Sequence, residues 1–221
     1  MYRMFYQCWR LKDIDKLNLN TSKVTNMSGM FVGTRMKSFT FKNFDTSKVT
    51  NMSEMFFNAA IEVMDLTNLK TDSLTDTSEM FHQMSYLTTI YAYDNLKFPN
   101  VTSSKDMFQS CYVLVGGAGT KFTAANRDVT YARVDKAGQP GYFTLPPRCY
   151  GDVNGDGNVT ADDAIITARM AAGYGDYNKK YEEKYADIDG SGKVTADDAI
   201  IIARCAADYG SYREKYIKPA V

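Results

Sequence analysis

Two acidic loops hold the residues whose types and spacing could do chemistry. From Asp152 to Asp163, "DVNGDGNVTADD" puts oxygen-bearing side chains at loop positions 1, 3, 5, 9 and 12 and glycine at position 6, and "DIDGSGKVTADD", Asp187 to Asp198, repeats the arrangement 35 residues on. That spacing is what an oxygen-coordinated calcium loop requires. The first candidate ligand set is the side chains of Asp152, Asn154 and Asp156, the backbone carbonyl of Asn158, Thr160 through a water, and a bidentate Asp163. The second is Asp187, Asp189, Ser191, the carbonyl of Lys193, Thr195 and Asp198. Gly157 and Gly192 supply the sharp turn. An all-oxygen set without His or Cys suits a hard cation and argues against zinc or copper, so two Ca2+ ions are expected, one per loop.

Each loop runs into a helix-like segment, "DAIITARMAA" or "DAIIIARCAA". An isolated acidic string is often only a surface loop, but about 20 of 35 positions agree between the two copies, which marks a duplication of one loop-helix unit. Carboxylates gathered in each loop repel one another, and helices of about ten residues are marginal alone, so the region is expected to fold on binding calcium. A calcium sensor has a helix entering each loop as well as leaving it. Before Asp152 stands "PPRCYG", which leaves no room for one, and "YNKKYEEKYA" before Asp187 reads as a connector.

The first part of the chain repeats differently. Met-Phe pairs recur at Met4-Phe5, Met30-Phe31, Met55-Phe56, Met80-Phe81 and Met107-Phe108, a period of 25 to 27 residues, and "TSKVTNMS" occurs unchanged at Thr21 and Thr46. Alternating stretches ("LNL", "FTF", "MDL", "IYAY") predict strands. The "TSKVTNMSEMF" segment, with Val49, Met52 and Met55-Phe56 three to four apart, predicts a short helical or 3₁₀ turn opposite them. Stacked coils of this kind share one apolar core. Glycines around "VTYARV" predict a hairpin-like cap, and Pro146-Pro147 a short linker. The fold class expected is therefore two domains: an α/β solenoid with a parallel sheet over 1–145 including its cap, a Pro-containing linker at 146–150, and a small all-α tandem loop-helix domain over 151–221.

Two resemblances extend this. "FDTSKVTNMSEMF" resembles the bacterial-surface-protein type of leucine-rich repeat, and Leu114 to Thr144 resembles the stretch that closes such arrays, which implies adhesion or recognition. Met1 falls inside a repeat with no polar cap before it, so a preceding segment is expected to be missing. The tandem units, with Asp at position 12, resemble the type I dockerin module of cellulosomal proteins over residues 151–216. That resemblance implies calcium-dependent binding to a cohesin domain of a scaffoldin through loop positions 10 and 11 and helix positions 17 and 18. Here these are Ala161, Asp162, Ala168 and Arg169, and again Ala196, Asp197, Ala203 and Arg204. The identical sets imply that either copy could meet the same cohesin after a half-turn. Many members carry Ser/Thr at positions 10 and 11, so Ala-Asp implies no particular cohesin. Ile165 and Ile200 are further apolar anchor candidates whose direction the "AII" run leaves open.

Lys+Arg 26 against Asp+Glu 26 gives no electrostatic case for nucleic acid, no run approaches a membrane span, and no signal peptide is evident. Cys8, Cys111, Cys149 and Cys205 form no CxxC pair and read as small buried hydrophobes, though spacing leaves room for one disulfide; His82 reads as structural or surface. The expectation is a non-catalytic, extracellular cellulosome component at the cell surface, whose repeats recognise an unknown protein or glycan unless "TSKVTN" is merely polar coil surface. The alternative is a C-terminal piece of a larger dockerin-bearing polysaccharide-degrading enzyme.

Overall fold

A computed structural model describes residues 1–14, 17 and 19–217. The first alternating stretch, "LNL", contains Asn18 and so lies partly outside the described residues, as do the last four residues of the 151–221 reading. The chain divides into two compact units, Met1–Pro146 and Pro147–Val221.

In the first unit the other alternating stretches pair one repeat period apart. Strands β1 (Ser38–Thr40), β2 (Val63–Asp65) and β3 (Thr89–Tyr91) run parallel, with Phe39 opposite Met64 and Met64 opposite Ile90. Each strand buries only this central residue, which is why three residues suffice. A second row of parallel bridges joins Asn26, Asn51, Asp76 and Ser103.

The Met-Phe segments do not form helices. Met55, Phe57 and Ala59 donate back to Met52, Glu54 and Phe56 in consecutive three-residue turns, but the intervening amides of Met52, Glu54, Phe56 and Asn58 cross to Asp76, Ser78, Met80 and His82 of the next repeat at 2.9–3.0 Å. A helix keeps its amides for its own carbonyls; here every second one is exported. Glu54 and Asn58 take left-handed conformations to allow this (φ 56° and 53°), where the preceding repeat uses Gly29 and Gly33. Asn51 starts the run by accepting from the amide and hydroxyl of Ser53, both at 2.8 Å, as Asn26 does from Ser28. The "TSKVTN" rows are not simply polar surface: Thr46 is buried, donates to Lys70 O at 3.0 Å and accepts from Lys70 N at 2.8 Å, and Thr21 does the same with Asp45 at 3.1 and 2.7 Å.

Inside, Phe5, Phe31, Phe56, Phe81 and Phe108 stack face to face with centroid spacings of 5.5, 5.6, 5.9 and 5.4 Å. The edge of Tyr142 closes the column at 5.1 Å from Phe108. The closing segment is less a hairpin than a clamp. It has single antiparallel bridges at Val115–Lys121 and Lys136–Gln139, and its last residues form β4 (Phe143–Thr144), which adds to β3 in parallel. Buried Asp135 holds it by accepting from Ala118 N and Thr120 N at 2.9 Å, Thr120 Oγ1 at 2.7 Å and Gly141 N at 3.2 Å.

Of the four cysteines only Cys111 and Cys205 are buried; Cys8 and Cys149 are half-buried, and no disulfide forms among the described residues. Cys111 donates to Phe81 O, and burial pushes its thiol up to about 12, which makes it inert. His82 is structural, with its edge on Phe57 and Nδ1 3.0 Å from Glu79.

The second unit contains α1 (Ala161–Ala171), α2 (Tyr177–Lys180), α3 (Glu183–Ala186), α4 (Ala196–Ala206) and α5 (Tyr212–Tyr216). The connector is thus two single turns. Val153, Val159, Met170, Ile188, Ile202 and Cys205 form the core.

Three variants test this fold. A Cβ on Gly116 would lie 2.3 Å from Gly141 O and 2.6 Å from an Asp135 oxygen, so Gly116→Ala is expected to cost about 2–4 kcal/mol in urea unfolding. Gly33→Ala, whose Cβ would make only ordinary contact with Gln7 at 3.7 Å and whose main cost is a positive φ, should cost about 1 kcal/mol. Burial opposes ionisation of Asp135, but its hydrogen bonds from Thr120, Gly141 and Ala118 win and hold the carboxyl below its ordinary range. Its stabilisation is therefore present above the unfolded carboxylate pKa of about 3.9 and lost as pH falls through the lower folded value. Asp135→Asn should be less stable at neutral pH and should narrow its deficit to wild type as acid is added, as read by unfolding midpoints across pH.

Candidate metal loops and docking face

Thr160 and Thr195 end the loops and cap the helices. Three residues on, Asp163 and Asp198 each return a carboxylate oxygen to the threonine amide, at 2.9 and 2.8 Å, and accept from its hydroxyl at 3.1 and 2.9 Å. The other oxygen reaches back to the loop entrance. Asp163 Oδ1 accepts from Val153 N at 2.8 Å and Asn154 N at 3.0 Å; Asp198 Oδ1 accepts from Ile188 N at 3.0 Å and Asp189 N at 3.2 Å. Both carboxylates are fully buried. The residue expected only as closing ligand is therefore also the staple joining loop entrance, loop exit and helix. The signal for this was in "TADD", a threonine followed three residues later by an acid, and the metal-ligand reading passed over it.

The remaining ligand candidates gather beside these staples. Asp152 accepts from Gly155 N at 2.9 Å and Gly157 N at 3.1 Å, Asn154 Nδ2 donates to Asp156 at 2.9 Å, and Asp156 accepts from Asn158 N at 2.8 Å. In the second loop Asp187 accepts from Ser191 N at 3.0 Å and Gly192 N at 2.7 Å, and Ser191 Oγ donates to Lys193 O at 3.1 Å. Gly157 and Gly192 turn the chain at φ 90° and 86°.

Carboxylate oxygens of Asp187, Asp189 and Asp198 lie within 4.8 Å of one another. Three negative charges that close are costly unless a cation joins them. In the first loop, burial pushes the Asp152 carboxyl above its ordinary range; Arg148 opposes this, while Asp163 and Asp156 add to it. By donor chemistry both loops fit a hard, oxygen-seeking cation, and in the second loop the carboxylate oxygens also converge.

The two long helices share one burial pattern. Asp163, Ala164, Thr167 and Met170 face inward, as do Asp198, Ala199, Ile202 and Cys205. Packing thereby settles the direction that "AII" left open: Ile165 and Ile200 are 48% and 49% exposed. Both line an apolar groove of about 540 Å³ with Ala168, Ala196 and Ala203. Its wall also includes Ala164, Ala171, Ala172 and Ala199, which the sequence did not single out. Ala161, Asp162, Asp197, Arg169 and Arg204 are exposed outside the groove wall. The two arginines are not loose charges. Arg169 donates to the hydroxyl of Tyr177 and lies 5.2 Å from its ring centre; Arg204 does the same with Tyr212 at 5.0 Å.

Because Asp163 makes four hydrogen bonds to protein donors, Asp163→Ala is expected to lower stability of the second unit by about 3 kcal/mol or more, read from loss of far-ultraviolet helical signal in urea.

Comparison with known proteins follows the same division. A model described as "Dockerin type I domain" matches residues 150–205. The repeats match a model other than the leucine-rich repeat that their motif resembles. No curated protein and no solved structure matches the chain. The N-terminal match, to the family described as "Mycoplasma protein of unknown function, DUF285", spans residues 1–116, just over half of the 221 residues, and the chain belongs to that family, with a type I dockerin domain following its repeats.

Proposed function

We infer that the protein is a non-catalytic, extracellular component of a cellulosome-type assembly. Residues 147–221 dock onto a cohesin domain of a scaffoldin, and residues 1–146 are the recognition module brought there. The observation that carries this reading is a duplicated face: Ile165 and Ile200, among alanines and beside Asp162, Arg169, Asp197 and Arg204, stand exposed on two helices with the same burial pattern. A protein of this size has no folding reason to expose two isoleucines in one apolar groove, whereas a partner surface does. Arginines held against tyrosine rings keep their remaining donors in place for carboxylates of that partner.

Two calcium ions, held by Asp152, Asn154, Asp156, Asn158, Thr160 and Asp163 and by Asp187, Asp189, Ser191, Lys193, Thr195 and Asp198, would supply the charge that lets these oxygens sit together. The staples through Asp163 and Asp198 then fix both helices and with them the docking face. For the repeats, pairing in parallel one period apart supports a leucine-rich-repeat-like solenoid. Among the described residues no helix is long and apolar enough to cross a membrane.

Calorimetry of the full chain against a panel of cohesins that includes the native scaffoldin tests the reading. Binding is expected in calcium and lost in chelator. Ile165→Asp and Ile200→Asp should each leave binding within about tenfold of wild type, and the double variant should abolish it. Calcium-independent capture, or a double variant that binds normally, would sink the docking assignment.

A further inference from the structure

We propose that the cleft between the third and fourth repeats is a binding site for a neutral oligosaccharide. The inference rests on the recognition role just assigned to the repeats and is independent of docking.

The cleft exists because the repeat spacing breaks there. From Met30 to Met80 the Met-Phe pairs recur every 25 residues, but Met80 and Met107 are 27 apart. Part of the excess falls after β3. Asp65 of β2 lies opposite Tyr91 at an offset of 26, whereas the turns that follow, closed by Leu69 N to Leu66 O and by Leu96 N to Tyr93 O, correspond at 27, so an added residue lies between Tyr91 and Tyr93, just before the turn at Asp94-Asn95. At the two preceding junctions a buried threonine both donates to and accepts from the next repeat's backbone. At this junction, among the described residues, Thr71 still donates to Lys97 O, but the reciprocal bond from Lys97 N is gone. The opened corner is a cleft of about 460 Å³, within the range of small-ligand sites. Insertions in repeat proteins commonly build the binding face.

The lining determines the ligand class. Thr67, Asp72, Asn95 and Lys97 supply a hydroxyl, a carboxylate, an amide and an ammonium, and half-buried Tyr93 supplies a ring, over a floor that includes Leu69. One acid and one base cancel, which disfavours a charged ligand. Mixed donors and acceptors beside an aromatic face suit the hydroxyls and C–H face of a sugar.

The walls are also held in place before any ligand arrives. Lys136 pairs with Asp94 at 2.8 Å, Lys97 Nζ donates to Asp94 O at 2.7 Å, and Asn100 Nδ2 donates to Asp72 O at 2.6 Å. A loop already pinned loses little entropy on binding.

The test is titration of the full chain with cellohexaose, xylohexaose and mannohexaose, followed by nuclear magnetic resonance, with circular dichroism confirming that each variant is folded. At least one sugar should bind, with or without calcium. Tyr93→Ala and Asn95→Ala should each weaken binding about tenfold, Asp94→Ala should weaken it through loss of the Lys136 tether, and Tyr112→Ala, at an exposed tyrosine outside the cleft, should leave it unchanged. Absence of binding to all three, unaltered binding by the Tyr93 and Asn95 variants, or a preference for oligogalacturonate or an unstructured peptide would overturn the proposal. Cohesin capture by the same samples reports separately: its failure beside intact sugar binding removes the docking reading and leaves this one standing.

Discussion

The face-to-face column of Phe5, Phe31, Phe56, Phe81 and Phe108 must advance in step with a ladder of backbone bonds, and that shared rise constrains everything in the first unit. Rings spaced 5.4–5.9 Å apart sit slightly wider than strands, whose separation is about 4.7–4.9 Å, so the column tolerates small offsets between rings. It does not tolerate a change in the length of chain between ring and ladder. Extra residues must be absorbed outside the column, and the segment between Tyr91 and Tyr93 in the fourth repeat, just before the Asp94-Asn95 turn, is one place where that happens. Irregularity is thereby confined to a surface corner, where a cleft costs little and can be used.

A related constraint explains the polar repeats. The amides exported from each Met-Phe run need carbonyls at a matching rise in the next repeat; Asn51 and Ser53 set the turn that delivers them, and Thr46 satisfies the Lys70 backbone of the next repeat. These residues look like a decorated surface when read as letters, yet they satisfy backbone groups that would otherwise be buried without partners. The column ends at Tyr142, where Phe108 N donates to Arg127 O of the closing segment and the buried Asp135 carboxylate holds that segment's own turns together.

In the second unit a single residue type again links levels. Asp163 and Asp198 are loop closers, capping-box partners and fully buried acceptors at once. Loop geometry and helix position are therefore not separable, and any change in the oxygens of the loop is felt at the helix start. The exposed isoleucines and the Arg–Tyr pairs lie on the far side of helices whose inner faces are set by those staples, so the face inherits its order from the loops.

Residue order alone was enough to reveal the two repeat periods, the parallel sheet, the two acidic loops and the pair of long helices, because each rests on local spacing that survives in any context. The direction of Ile165 and Ile200 was not legible, since the "AII" run satisfies more than one helical face and only packing against the opposite helix chooses. The Met-Phe runs read as helical because their apolar spacing is helical; the structure spends alternate amides on the next repeat, a partner that no local window contains. For the same reason, the order of residues reveals an added residue just before Asp94-Asn95 only as a change of period, and tertiary stacking alone decides that the surplus becomes a cleft instead of a bulge in the core.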